Sequence, residues 1–408
     1  MTRSLLSKRG QTAPASPIRR LMPYADEAKT RGVTVHHLNI GQPDLATSST
    51  MRAAYKSFDE DVVAYSKSQG TDSFRAALAG YFNGLGVSAG GGAIGLDDIL
   101  VTVGGSEALL FVIAAVCDPG DAIIVAEPYY TNYAGFSHML SVDVVPVTTY
   151  ASEGFTIDPA RVEAAITPKT RALVFPNPGN PTGAVHTREQ LKALADVCVA
   201  KDLMMVSDEV YREFVYTEDG SVGVATSVLE LPGLEHHAVV IDSVSKRYSA
   251  CGARVGCLVT RNRDLYGACL KFAQARLSPP TVDQFAAEAA MRTPVAEMSA
   301  AITEYRARRD LVVAGLNAID GVTCPRPDGA FYLVAELPVA SAEKFCMFLL
   351  QEFDLDGETV MLAPAEGFYA TEGVGLNEVR VAYVLEPARL RRCIAIIEAG
   401  LRAFSALK

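Results

Sequence analysis

A lysine stands behind two serines in Ser243-Val244-Ser245-Lys246, and Arg254 follows eight positions on. An amine can bond an aldehyde carbon, while hydroxyls and a guanidinium can hold a phosphate. The set suits a phosphorylated aldehyde held covalently. Asp208 and Tyr211 form a second set, three residues apart in Asp208-Glu209-Val210-Tyr211. A carboxylate facing a pyridine nitrogen keeps it protonated, and a pyridinium withdraws electrons far better than a neutral ring. Tyr211 and Asn180 can each donate to a phenolic oxygen on such a ring. Together these residues imply pyridoxal phosphate (PLP) as the cofactor. Gly104-Gly105-Ser106-Glu107-Ala108 adds a glycine turn that opens a helix, where free N–H groups and a positive dipole end suit a phosphate. Such a turn is usually no more than a turn. Beside Ser243, Ser245 and Arg254 it reads as the second half of a phosphate cup.

These residues need a frame. Residues 122–126, 142–148, 172–175, 203–206, 238–241 and 255–260 are short, nearly all apolar and rich in Val and Ile. That is the pattern of buried strands in a largely parallel sheet. Helical patterns lie between them, at 107–116 and at 188–201, the latter with Thr187 as N-cap and Gln190 three residues later. The alternation predicts an α/β domain. Asp208, Lys246, Asn180 and the Gly104 turn each follow an expected strand, the last one being residues 99–103, at the edge where open parallel sheets bind ligands. Asn177-Pro178-Gly179-Asn180-Pro181-Thr182-Gly183 continues neither strand nor helix. So many conformationally fixed residues imply one defined loop shape, with Pro181 a candidate for a cis bond.

After about Pro280 the pattern changes. A long helix is expected over 295–316, strands around 330–334 and 378–384, and a last helix with Leu390, Cys393, Ile394, Ile397, Leu401 and Phe404 on one face. The expected organisation is a large PLP-binding domain at 47–290 and a smaller α+β domain formed by 1–46 and 291–408.

With 408 residues, 49% hydrophobic and 21% charged, the chain reads as a two-domain globular protein. Its net charge of −10 argues against general binding to nucleic acid or anionic membranes. No apolar run is long enough to span a bilayer. The eight cysteines form no CxxC pair, which favours reduced thiols in the cytoplasm over a zinc site. Arg3, Lys8, Arg9, Arg19 and Arg20 make the first twenty residues basic, with no acid among them. A transit peptide is compatible with that composition. A free arm, or one that clasps a second subunit, is the plainer reading.

Asn-Pro-x-Asn-Pro-Thr-Gly, then Ser-Asp-Glu-Val-Tyr, then Ser-x-Ser-Lys and Gly-x-Arg-x-Gly stand here in the order 177–183, 207–211, 243–246 and 252–256. In this the chain resembles the class I/II aminotransferases of the aspartate aminotransferase superfamily (PLP fold type I). The similarity runs from Leu38-Asn39-Ile40-Gly41-Gln42-Pro43-Asp44 to Glu378-Val379-Arg380-Val381-Ala382-Tyr383. It implies that Lys246 is the Schiff-base lysine and proton carrier, and that Asp208 faces the pyridine nitrogen. Asn180 and Tyr211 match the pair on the phenolic oxygen. Ser243, Arg254 and the N–H groups of Ser106 and Glu107 match the phosphate cup, beside the candidate cofactor-binding residues Gly105 and Ser245, and Tyr130 matches the ring stacked on the cofactor. Tyr65 resembles the tyrosine that reaches the neighbouring subunit's phosphate, which implies a homodimer with shared active sites. Arg380 matches the arginine that grips the substrate α-carboxylate, with Asn180 beside it, and Ile40-Gly41 the backbone that closes over the substrate.

The resemblance implies transfer of an amino group from an L-amino acid to a 2-oxo acid, with 2-oxoglutarate as the expected acceptor and ping-pong kinetics. A β-lyase or decarboxylase on the same scaffold is the alternative. A PLP-sensing regulator is set aside, because the stretch before Ile40 is too short for a DNA-binding domain. A dicarboxylate substrate would call for a second cation, with Arg19, Arg20, Lys67 and Arg276 as candidates. Tyr24, Tyr130, Phe331 and Phe368 would suit aromatic or aliphatic side chains. Residues 361–369 depart from the commoner Pro-Gly form, which leaves the shape of the substrate pocket open. A broad or aspartate/aromatic type is expected.

Overall fold

The computed structural model describes residues 4–217 and 222–407. Arg3 of the basic arm lies outside the described residues. The expected strands assemble into one seven-stranded sheet. Across it the order is Ile99–Thr102, Gly256–Val259, Ala238–Ser243, Met204–Asp208, Thr170–Pro176, Ala122–Glu127 and Asp143–Thr148. All neighbours pair in parallel except Gly256–Val259, which is antiparallel to both of its partners.

Side chains alternate across a strand, and here both faces are covered. Val101, Ile124, Leu173, Met205, Val240 and Cys257 pack into one apolar cluster with Phe74, Leu191 and Leu194. Their neighbours Leu100, Ile123, Val174, Val206, Val239 and Leu258 pack into a second, with Ala108, Val112 and Leu265. Two-sided burial explains why these strands read as continuous apolar runs. The edge strand Asp143–Thr148 is less buried and accommodates Pro146, which a central strand would not. The helix Arg188–Ala200 starts as expected: Thr187 Oγ1 accepts from Gln190 N at 3.3 Å, and Gln190 Oε1 accepts from Thr187 N at 2.8 Å.

The later part of the chain forms a three-stranded antiparallel sheet of Tyr332–Glu336, Glu378–Ala382 and Ala363–Pro364. Helices Val295–Asn317, Ala342–Gln351 and Pro387–Ala406 accompany it. The N-terminal segment joins this part. Thr34–His37 pairs in parallel with Glu358–Met361, and Leu21, Ala25 and Ala28 enter the same apolar core. The two parts are stitched together. Met298 packs on the large-sheet side while Ile302, Tyr305 and Val312 of the same helix lie in the other core. Tyr211, Phe214 and Tyr216 cross in the opposite sense.

Among the described residues no helix is long and apolar enough to cross a membrane. All eight cysteines are free, and every one except Cys251 is buried.

Candidate active site

A cavity of about 500 Å³ opens at the C-terminal ends of the parallel strands. Lys246 enters it from the short helix Val244–Arg247, whose N-cap Ser243 accepts from Ser245 N at 3.2 Å. Its Nζ donates to Gly41 O at 2.9 Å and lies 3.5 Å from Cys251 Sγ. A Cβ on Gly41 would fall 1.7 Å from Tyr332 Oη, so only glycine lets this backbone approach.

Sequence neighbours of the cavity residues turn the other way. Arg247 pairs with Asp242 at 2.8 Å and Glu213 at 2.6 Å, and Arg212 pairs with Glu209 at 2.8 Å. These groups are buried, where a charge is costly unless it is paired. Burial works against ionisation of Asp242, yet the Arg247 and Arg212 guanidiniums hold its carboxyl below the usual range.

Asp208 ends its strand in the cavity wall. Tyr133 donates to its Oδ2 at 3.0 Å, while Oδ1 is buried with no hydrogen-bond partner. Burial pushes this carboxyl up to about 6, against the pull of Tyr133 and the Val210 N–H. The Tyr211 hydroxyl meets that of Tyr332 at 2.9 Å, and burial raises its pKa far above a phenol's ordinary value. Tyr211 therefore stays neutral and able to donate. Tyr130 is half-buried, edge-on to Tyr133 at 5.7 Å between ring centres, with its hydroxyl pushed up to about 12 by burial.

Arg380 is fully buried in the strand Glu378–Ala382. Nη1 donates to Asn180 Oδ1 at 3.0 Å and Nη2 to Asn39 O. Its guanidinium carbon lies 4.7 Å from the ring centre of Tyr332 and 4.9 Å from that of Phe368. No acid pairs with it among the described residues, and burial lowers its pKa. A buried cation without an anion is a ready seat for a carboxylate.

The residues expected to form a phosphate cup line the same cavity. Gly104 has φ +72°, and a Cβ there would fall 2.4 Å from Arg254 Nη2. A Cβ on Gly256 would meet the Gly104 carbonyl carbon at 2.6 Å. The turn can thus press against the next strand and aim the start of the helix Gly104–Val116 at the cavity. Gly105, Ser106, Ser243, Ser245 and Arg254 line it, with the two serine hydroxyls 2.8 Å apart. Glu107 shares the first helical turn, but its carboxylate faces away, accepting from Val103 N at 2.8 Å and meeting Arg276 at 3.4 Å.

The structure thus brings together Lys246, Asp208, Tyr211, Asn180, Tyr130, Gly105, Ser106, Ser243, Ser245, Arg254, Ile40, Gly41 and Arg380. Tyr65 is 80% exposed and forms no part of this wall. Of the four candidate second cations only Arg19 lines the cavity. Arg20 pairs with Glu343 and Lys67 with Asp72, and Arg276 binds backbone carbonyls and Glu107. Of the candidate aromatics only Tyr130 is in the wall. Phe331 and Phe368 lie behind Lys246 and Arg380, and Tyr24 packs on the core that holds Leu21 and Tyr305. Tyr133, Tyr332 and Cys251 were not anticipated. Tyr133 had one available signal, its place three residues after Tyr130 at the start of a helix. The bond before Pro181 is cis, as are those before Pro178 and Pro128.

Residues 33–397 match the family model of aminotransferase class I and II. The chain belongs to this aminotransferase family. It is 33% identical over 400 residues to the aspartate/prephenate aminotransferase of Thermus thermophilus, covering 95% of this chain and 97% of the relative. It is 32% identical over 375 residues to the arginine–pyruvate transaminase of Pseudomonas aeruginosa, covering 90% and 91%. The solved structure of the T. thermophilus aspartate aminotransferase with maleate matches with a TM-score of 0.86 at 30% identity, covering 98% of this aminotransferase and 100% of that chain. The aminotransferase has the PLP fold type I architecture, and it is an enzyme of the transaminase class.

Proposed function

We propose that this aminotransferase uses PLP to move the amino group of an L-amino acid to a 2-oxo acid, with 2-oxoglutarate as acceptor, in two ping-pong half-reactions. The observation that carries the reading is the unpartnered Asp208 Oδ1, buried in the same wall as the Lys246 amine. It is a buried acceptor suited to a ring N–H. The residues present fit the rest of the cofactor: Tyr211 and Asn180 would partner its phenolic oxygen, Tyr130 would supply an aromatic neighbour, and Gly105, Ser106, the Glu107 N–H, Ser243, Ser245 and Arg254 would hold its phosphate. When bound, PLP supplies an aldehyde carbon for an amine and an electron-withdrawing ring.

The chain's own residues divide the work. Arg380 takes the substrate α-carboxylate through its free guanidinium edge, with Asn180 fixing the other side. Ile40 and Gly41 close over the substrate. Lys246 Nζ, which would also be the amine that holds the cofactor, would remove the proton on the substrate Cα and hold it for return. Gly41 O and the Tyr211–Tyr332 hydroxyl pair orient that amine and the ring beside it.

The maleate in the related solved structure and the names of the relatives support a dicarboxylate or broad aspartate/aromatic preference. Exposed Val62, Val63 and Tyr65 support a homodimer in which Tyr65 reaches the partner's phosphate cup. Free cysteines support a cytoplasmic enzyme. Residues 47–290 form the large domain, and 1–46 with 291–408 the small one. A panel of amino donors with 2-oxoglutarate tests the reaction. The expected result is glutamate formed in step with the donor's 2-oxo acid. Release of ammonia or pyruvate with no new amino acid would move the reading to a lyase, and carbon dioxide release to a decarboxylase.

A further inference from the structure

Lys246 needs one lone pair for both of its jobs, bonding an aldehyde carbon and taking a proton. When uncombined and neutral, a lysine nitrogen carries two N–H bonds besides that lone pair. Where the two N–H groups go therefore decides where the lone pair points. Gly41 O takes one at 2.9 Å, and Cys251 Sγ stands as the second acceptor at 3.5 Å. The rings of Tyr211 and Phe331 occupy further sides, each with its centre 5.9 Å from Nζ.

The local backbone aims the thiol at the amine. Seven of the eight cysteines are buried, and Cys251 alone lines the cavity. Its S–H donates to Ser245 O at 3.2 Å, which leaves the sulfur lone pairs to accept. Its carbonyl accepts from Arg254 Nη1 at 2.9 Å. The turn Cys251–Ala253 is flanked by Ser249 at φ +50° and Arg254 at φ +54°, a left-handed conformation that residues other than glycine rarely adopt. Such residues persist where their surroundings over-determine them. Thr47 Oγ1 donates to Ser249 O at 2.7 Å, and Ala250 N to Ser245 O at 3.1 Å. These bonds fold the chain back so that residue 251 meets residue 246.

We propose that Cys251 is a positioning residue for Lys246. Its sulfur takes one amine N–H and, together with Gly41 O, turns the nitrogen lone pair into the cavity. The proposal deepens the reading of Lys246 as the reactive amine and rests on it. Without the sulfur the amine rotates, and fewer encounters find the lone pair aimed. Alanine removes the acceptor, whereas serine keeps one with a shorter reach.

The test starts from cofactor-free wild type, Cys251→Ala and Cys251→Ser, each mixed with saturating PLP. Absorbance follows the first-order rate of covalent attachment. Attachment is expected to slow by roughly five- to tenfold in Cys251→Ala and to recover in part in Cys251→Ser. Lys246→Ala alone and Lys246→Ala combined with Cys251→Ala should bind PLP equally, because the thiol then has no amine to orient. In turnover, Cys251→Ala should lower kcat with KM little changed and raise the deuterium isotope effect at the substrate Cα. Attachment at the wild-type rate in Cys251→Ala would overturn the proposal. So would weaker PLP binding in the double variant than in Lys246→Ala, which would make Cys251 a wall of the cofactor site. Absence of attachment in wild type would instead count against the reading of Lys246 itself, so the two failures are told apart.

Discussion

Tyr133 donates its hydroxyl to Asp208 Oδ2 at 3.0 Å and so leaves Oδ1, on the same carboxylate, as a free buried acceptor. The tyrosine is fully buried on the helix Asn132–Leu140, so it cannot swing away to water. One oxygen is thereby fixed and the other is presented.

Tyr133→Phe should test this. Removing one buried hydrogen bond to a carboxylate costs roughly 1–2 kcal/mol, which corresponds to about a tenfold loss of PLP affinity with the fold retained. Titration of the cofactor-free protein with PLP measures it. Unchanged affinity would mean that Tyr133 does not fix the carboxylate.

Asp208 also gives the cofactor-free protein a distinctive pH dependence. Its folded pKa of about 6 lies above the usual carboxylate value, so the folded state binds the proton more tightly than the unfolded chain. Stability from this group is then lost as pH rises through about 4 to 6. Asp208→Asn should therefore stabilise the cofactor-free protein above pH 7, by on the order of 2 kcal/mol, and the gain should vanish near pH 4. Thermal melts of both proteins across that range give the difference. A variant equally destabilised at every pH would contradict the raised pKa.

Lys246→Ala should abolish covalent attachment. Borohydride treatment of the wild-type holoenzyme should leave the cofactor's mass on the peptide carrying Lys246, and the variant should carry none. Attachment at another lysine would move the reactive amine elsewhere.

Arg380→Lys keeps the charge but loses the two parallel bonds that a guanidinium offers a carboxylate. The expected result is a rise in KM for both donor and acceptor by about 10- to 100-fold, with bound PLP at wild-type level. Loss of PLP instead would place Arg380 in the cofactor site.

The parts of the site legible in the sequence were those built from short-range patterns. Lys246 with its serines, Asp208 with Tyr211, and the Gly104 turn each lie within a few residues of a strand end, where one sheet gathers them. The strands themselves were readable because both faces are buried, which leaves an unbroken apolar run in each. Tyr332 and Cys251 were not legible as site residues. Tyr332 meets Tyr211 from 121 residues away, and Cys251 looks like any other apolar-flanked thiol until the chain turns it toward Lys246. The choice among Arg19, Arg20, Lys67 and Arg276 depended on which already had a partner, and such partners as Glu343 for Arg20 are remote in sequence. The arm reads as free or as a clasp on a second subunit from its basic composition. Its contacts with His138 and Met139 of its own chain appear only in three dimensions.

Asp208 beside Glu209, Ser243 beside Asp242 and Lys246 beside Arg247 each pair a reactive position with an immovable one. At the two strand ends a one-residue slip would exchange the two roles, putting a paired charge into the cavity and burying the cavity-facing residue among ions. The reaction is thus locked to the spacing of the central strands. Arg19 and Ile40 stand outside that lock, on segments that meet the site only at its rim. Descendants of this chain can therefore change their preferred substrate by point mutation there while inheriting the same chemistry.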